Sequence, residues 1–293
     1  MSDAWFEEWR VGAVRVIRVI ENEVTVPASL FFGESELPES TDHPWMVPRY
    51  RAPDGRLVFS VHAFVVDDGE HRLIVDTCVG NAKERTNPFF NRLDGPFLDR
   101  LEQLGYGALT IDRVVCTHLH LDHVGWNTRL EDDRWVPTFP NARYLIGATE
   151  WQHSQAEGDD AAGPVVADSV APLFAAGLVD LVAMDHQVSE AVRLMPTPGH
   201  TPGHVAVCIE SEGRSAVITG DLIHHPIQVA TPRLATILDA DVEMARATRE
   251  QFVAAHLDRA VLVLGTHFGT PAGGHIVSTP AGSAFLAPQD VPA

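Results

Sequence analysis

The chain has 293 residues, 45% of them apolar and 21% charged, which is the balance of a folded globular protein long enough to bury a substantial core. Against 40 Asp and Glu stand only 21 Lys and Arg, a formal charge of −19, and such a surface repels phosphate backbones and anionic lipid, so nucleic-acid and membrane partners are disfavoured. No apolar run approaches the ~18 residues of a membrane span, and Met1-Ser2-Asp3-Ala4-Trp5-Phe6-Glu7-Glu8 has neither a basic nor an apolar leader region, so a cytoplasmic protein is expected.

Val- and Ile-rich runs at 12–20, 57–66 and 71–76, separated by Pro53-Asp54-Gly55 and Asp67-Asp68-Gly69, predict an opening set of antiparallel strands. Between them, 25–56 is long for a connection, as loops that cover a site or an interface often are. Phe97, Leu98, Leu101 and Leu104 fall at helical spacing over 94–104 and Gly105 supplies the stop. A strand at 114–116 follows, then a strand at 143–146, helical stretches at 149–155 and 165–176, and strands at 191–195, 204–209 and 215–219. A helix at 242–256, with Asp239 or Asp241 able to cap it, precedes a buried strand at 260–264. Two αβ halves packed sheet against sheet are expected within one domain, 1–293, divided roughly as 1–140 and 141–275, with a weakly patterned tail at 276–293. Cys78, Cys116 and Cys208 are odd in number and widely spaced, which suits small buried hydrophobes better than a disulfide framework.

The chemistry concentrates in Thr117-His118-Leu119-His120-Leu121-Asp122-His123-Val124-Gly125, where four potential metal ligands follow directly on an apolar run. Imidazole and carboxylate at this density suit borderline divalent cations such as zinc, and one turn of chain cannot bring all four to a single ion. Further donors stand at the ends of later apolar runs: His200 in Thr197-Pro198-Gly199-His200, Asp221 in Thr219-Gly220-Asp221, and His267 after Gly265-Thr266. Five His and two Asp in this setting suit two ions that share a carboxylate, each keeping a position open.

These motifs, with Asp76 in Ile74-Val75-Asp76-Thr77, resemble those of the metallo-β-lactamase superfamily, in the family's order and over essentially the whole chain. The resemblance implies a four-layer αββα sandwich of α/β type with the site at one edge. It further implies that His118, His120 and His200 hold one ion, that Asp122, His123 and His267 hold the other, and that Asp221 bridges them. Cys78 and Trp126 depart from the family's usual glycines. Gly220-Asp221-Leu222-Ile223-His224 is most similar to the branch containing methyl parathion hydrolase, and His224 stands where quorum-signal lactonases commonly carry a tyrosine.

The expected function is therefore hydrolysis of a small, largely neutral ester or lactone by two divalent ions, zinc foremost, with manganese, cobalt or iron also suited to the donors. A hydroxide bridging two ions about 3.5 Å apart would be the nucleophile. Asp122 would accept its hydrogen bond and carry a proton to the leaving group, and His224 would orient substrate or stabilise the oxyanion. Asp76 and His204 are expected to hydrogen-bond the ligands from behind. Trp126, Phe268, Phe31, Phe32 and Trp45 are candidates for the substrate pocket. Phosphotriester hydrolysis and hydrolytic dehalogenation are the rivals within hydrolases, and a single iron at His118, His120 and His200 running dioxygen chemistry is the rival from another class. A homodimer is compatible with the apolar N-terminal loop segment.

Overall fold

A computed structural model describes residues 5–33, 43–157 and 164–291. The strands are β1 (Phe6–Val11), β2 (Val14–Val26), β3 (Leu57–Asp67), β4 (Arg72–Val75), β5 (Arg113–Cys116), β6 (Thr128–Glu131), β7 (Arg134–Pro137), β8 (Arg143–Gly147), β9 (Val179–Val182), β10 (Val192–Pro196), β11 (Val205–Ser211), β12 (Arg214–Ile218), β13 (Val261–Leu264), β14 (Gly273–Thr279) and β15 (Gly282–Leu286). The helices are α1 (Ser29–Phe32), α2 (Phe97–Gln103), α3 (Leu121–Val124), α4 (Ala148–Glu157), α5 (Ala171–Ala175), α6 (Ile227–Ala230) and α7 (Val242–His256). No described helix is long and apolar enough to cross a membrane.

Two sheets carry the fold, one ordered β1-β2-β3-β4-β5-β8-β9 and the other β10-β11-β12-β13-β14-β15, with β6 and β7 as a separate hairpin. Strand periodicity explains how they stack. Along β3, Phe64 and Val66 point one way and Ala63 and Val65 the other; along β11, Val205, Val207 and Ile209 oppose Ala206 and Cys208. Phe64, Val66, Leu73, Val75 and Val115 of the first sheet share one core with Val205, Val207, Ala216, Ile218 and Leu264 of the second. The opposite face of the first sheet packs on Phe97 and Leu101 of α2 and Leu173 of α5, and that of the second on Phe252 and Val253 of α7. The result is helix, sheet, sheet, helix, the four-layer αββα sandwich.

Three expectations need correction. The chain passes from the first sheet to the second between Val182 and Val192, not near 140, because β8 and β9 add in parallel beyond β5 and so extend the first sheet. The segment after Ile276 is no loose tail, since β14 and β15 form an antiparallel hairpin with Ala284 and Phe285 buried. The long 25–56 connection begins only after β2 ends at Val26 and contains α1; its residues 34–42 lie outside the described residues. Of the two aspartates considered as a cap for α7, it is Asp241 whose side chain accepts from Met244 N at 3.0 Å. Cys78, Cys116 and Cys208 are free and buried.

Strand direction delivers the site. β4 and β5 are parallel, so Asp76 and His118 leave the first sheet at the same edge. β12 and β13 are parallel, and β10 runs with β12 because both are antiparallel to β11, so the ends that lead to His200, Asp221 and His267 also share an edge. Ser60 N donates to His267 O at 3.0 Å, which ties the β13 end to β3 and closes the two sheets together there.

Candidate metal centre

Two groups of donors face each other at this edge. His118, His120, His200 and Asp221 form one and Asp122, His123 and His267 the other, with the donor atoms of each group within 4.8 Å of one another. Asp221 spans both. Its Oδ1 lies 3.3 Å from His123 Nε2 and 3.1 Å from His267 Nε2, while Oδ2 lies 3.7 Å from His118 Nε2 and 3.4 Å from His200 Nε2. Asp122 sits 3.7 Å from both His123 Nε2 and His267 Nε2 and is the more open carboxylate, its side chain 19% exposed.

The outer nitrogens of the imidazoles determine what the inner ones offer. His123 Nδ1 meets Asp76 Oδ2 at 2.9 Å, His267 Nδ1 meets Ser60 O at 2.9 Å, and His200 Nδ1 meets Asp239 Oδ1 at 3.3 Å. Each acceptor requires a proton on Nδ1, so the neutral ring, the form that ligates metal, has its lone pair on Nε2, pointing inward. His118 follows the same rule: Thr117 Oγ1 donates to Asp76 and accepts from His118 Nδ1 at 3.1 Å. In their neutral forms His267 Nε2 and His123 Nε2, 3.3 Å apart, would present lone pairs to each other, and His200 Nε2 lies 2.9 Å from His120 Nδ1. His118 Nε2 and Asp221 Oδ1 are buried with no hydrogen-bond partner among the described residues. A buried cluster of acceptors without donors is costly unless cations hold it together, and this donor set fits divalent metal.

The electrostatics agree with that fit. Burial and the neighbouring imidazoles push His118 and His120 well below the ordinary histidine range, which keeps them neutral and able to ligate. Burial also opposes charge on His123 and His267, yet the Asp221 and Asp122 carboxylates, with Asp76 for His123, hold both above that range. Without metal, protons supply the positive charge that the carboxylates demand, and metal binding would displace them.

Four loops are locked from behind. Asp76, in the left-handed region at φ 57°, accepts from Thr117 N and Thr117 Oγ1 at 2.8 Å each as well as from His123. His204 accepts the backbone N–H of Asp221 on Nε2 at 2.8 Å while its Nδ1 meets Thr197 Oγ1 at 2.8 Å, and burial lowers its pKa to about 3, so it stays a neutral acceptor. Gly220, at φ 54°, leaves no room for a Cβ, which would stand 2.6 Å from His204 Nε2. Glu150, at the start of α4, accepts from Leu119 N at 3.0 Å and Thr201 Oγ1 at 2.6 Å, bracing the His118–His120 and His200 loops against each other. Glu21 accepts from Val79 N, Gly80 N and Trp126 Nε1, at 2.9, 3.1 and 2.6 Å, and holds the loop behind Asp122 and His123.

The pocket candidates separate. Phe31 stacks on Phe59 at 3.8 Å and lies 6.4 Å from the His224 ring, beside the site. Trp126 is instead a core residue, stacked on Phe97, and Phe32 and Phe268 are likewise fully buried, the latter against Tyr50 and Phe285. Trp45 packs on His43 and Tyr50 and lines a cleft of about 430 Å³ with Val47, Arg49 and Asp290, none of them among the seven donor residues. Adjacency in sequence to a ligand misled here, because Trp126 lies in the turn of helix at Gly125–Asn127 that packs into the α2 side of the core, and Phe268 turns into the cluster with Tyr50 and Phe285. His224 lies in the site, its Nε2 3.1 Å from Asp221 Oδ2, with no hydrogen bond of good geometry to either ring nitrogen among the described residues. Sequence reasoning did not find Glu21, Glu150 or the Asp239 contact to His200; for Asp239 alone a signal existed, the surplus aspartate ahead of α7.

Residues 56–277 match the family described as the metallo-beta-lactamase superfamily, and the chain belongs to it. Among curated relatives, an N-acyl homoserine lactonase from Bacillus sp is 24% identical over 178 residues, covering 57% of this chain and 64% of that protein. A probable metallo-hydrolase from Mycobacterium tuberculosis is 27% identical over 179 residues, covering 56% and 57%. The match thus spans less than two thirds of either relative. Two solved structures share the fold along almost the whole chain: the hydrolase AbOPH, with a TM-score of 0.79, 23% identity and 98% of each chain covered, and AidC, described as a dizinc quorum-quenching lactonase, with 0.77, 19%, and 96% and 97%.

Proposed function

We propose that this chain is a dinuclear metal-dependent hydrolase of a small, largely neutral ester or lactone. The observation that carries this reading is the position of Asp221, one carboxylate oxygen toward His118 and His200 and the other toward His123 and His267. His118, His120 and His200 would hold one ion, Asp122, His123 and His267 the other, and Asp221 both, zinc being the first candidate for this donor set. Bound there, divalent ions supply activated water and electrophilic polarisation at neutral pH.

The protein's own groups complete the reaction. Asp122 is the carboxylate with an open face, suited to accept the water proton on Oδ2 and return it to the departing oxygen. His224 has two ring nitrogens that no described residue engages in a well-formed hydrogen bond, and its neutral form, favoured by burial, can donate to the oxygen that becomes negative as the carbonyl is attacked. Phe31, backed by the buried Phe59, offers an apolar surface beside it. The names of the lactonase relative and of AidC support a lactone as the first substrate class to test.

Turnover of lactones and aryl esters by the zinc-loaded protein, lost in His120→Ala, is the expected result; a fully loaded protein inert toward lactone, ester and phosphotriester panels contradicts the proposal. His224 in the place of the tyrosine common in lactonases keeps phosphotriester hydrolysis as the second reading. Paired carboxyl and phosphoryl esters of one phenol separate the two.

A further inference from the structure

Arg249, in the middle of α7, is a cation with 0% exposure outside the donor cluster. Its contacts form a set. Nη2 lies 3.3 Å from Asp239 Oδ2, Nε donates to Leu222 O at 2.8 Å, and Nη1 donates to Pro232 O at 3.1 Å and Leu234 O at 2.9 Å. Asp239 in turn presents Oδ1 to His200 Nδ1 at 3.3 Å and takes Thr236 N on Oδ2 at 3.1 Å.

Each partner leads to the site by a short path. Leu222 directly follows Asp221. Leu234 O also accepts from Gln228 Nε2 at 2.8 Å, and Gln228 Oε1 accepts the backbone N–H of His224 at 2.8 Å. Ala240 N donates to His200 O at 3.0 Å and Asp241 N to Gly199 O at 2.9 Å, so the segment bearing Asp239 is sewn to the His200 loop. The same helix presses on that loop: a Cβ on Gly199 would stand 2.4 Å from Ala245 Cα, and Thr248 Oγ1 donates to Pro198 O at 2.8 Å.

Stability alone does not account for this arrangement. A buried ion pair returns little net stability relative to well-packed apolar residues, whereas a guanidinium fork fixes the directions of several acceptors at once. We propose that Asp239 and Arg249 are a positioning pair: Asp239 holds His200 as the Nδ1–H tautomer with Nε2 aimed at the centre, and Arg249 aligns Asp239 with the loop that carries Asp221 and His224. This rests on the reading of His200 and Asp221 as metal ligands.

The pair is asymmetric with respect to the two ions, because Asp239 touches only the His118, His120 and His200 group, while Arg249 also fixes the loop of the shared Asp221. Zinc affinities from chelator competition and the imidazole N–H signals of the ¹⁵N-labelled metal-free protein test it on folded variants. Asp239→Ala should erase the protected His200 Nδ1–H signal and weaken one ion by about 10–100-fold with the other unchanged. Asp239→Asn can keep an acceptor oxygen toward His200 only by turning its NH2 onto the Arg249 and Thr236 donors, so it should restore the signal and only part of the affinity. Arg249→Lys, which keeps the charge and loses the fork, should weaken both ions. A His200 signal unchanged in Asp239→Ala, or both ions weakened equally by it, overturns the proposal. A wild-type protein that takes up fewer than two ions instead contradicts the dinuclear reading, and the N–H signal then still decides the positioning role.

Discussion

Asp76 Oδ2 lies 2.9 Å from His123 Nδ1, and the same carboxylate accepts from the backbone and the hydroxyl of Thr117, the residue before His118. One side chain at the end of β4 therefore sets the orientation of a donor in each group. Asp76→Ala should lower zinc affinity about 10–100-fold, the usual cost of losing a partner of a ligating imidazole. Chelator competition checks it, and circular dichroism separates this loss from unfolding.

His224 is expected to act on substrate and not on metal content. Its replacement by Ala should leave the zinc stoichiometry at the wild-type value while kcat falls about 10²–10³-fold, the range for removal of a donor to a developing oxyanion. Loss of an ion in His224→Ala would instead make it a ligand.

Gly125 takes an ordinary helical φ of −60°, so conformational freedom is not what it provides. The reason is space: a Cβ there would stand 1.7 Å from Val79 O. Gly125→Ala must force apart the Cys78–Gly80 strap and the loop of Asp122 and His123, and should cost about 1–3 kcal/mol in denaturant unfolding, as overpacking does. Equal stability of the two proteins would show that the strap yields freely.

His225 gives a pH signature distinct from the donor cluster. Its Nε2–H donates to Tyr50 O at 2.8 Å and its Nδ1 accepts from Ile227 N at 3.1 Å, so a second proton would set donor against donor. Burial accordingly lowers its pKa from 6.5 to about 4. The unfolded chain binds this proton more readily, so the contribution of His225 to stability is complete above pH 6.5 and is lost as the pH falls toward 4. Relative to His225→Gln, the wild type should lose up to about 3 kcal/mol across that window, read from unfolding free energies of both proteins over the series. Parallel pH profiles would contradict it.

The donors were legible in the sequence because they lie at the ends of apolar strands in short motifs, and strand ends are where loops of an αβ sheet converge. The two sheets were legible from the order of strands and helices, and the four layers only from the family resemblance, since runs such as Val114–Cys116 and Val205–Ile209 are apolar at every position and do not tell one face from the other. What the sequence hid is long-range. Glu150 meets Leu119 across 31 positions, Glu21 meets Trp126 across 105, and Arg249 reaches Leu222 across 27; no local pattern marks such pairs. The passage between sheets was misplaced because the apolar run of β8 would suit either sheet and β9, Val-Asp-Leu-Val, has no strong strand pattern, so only the parallel pairing of β8 on β5 and of β9 on β8 assigns them. Trp126 and Phe268 were drawn toward the pocket by their neighbours, whereas the core claimed both.

The proposed chemistry depends on Asp221 joining two metal ions in one centre. Native mass spectrometry of the metal-free protein titrated with zinc tests it most directly. Two ions per chain are predicted for the wild type, with Asp221→Ala retaining at most one at the same free zinc concentration. Saturation of the wild type at a single ion, or two ions held undiminished by Asp221→Ala, would contradict it.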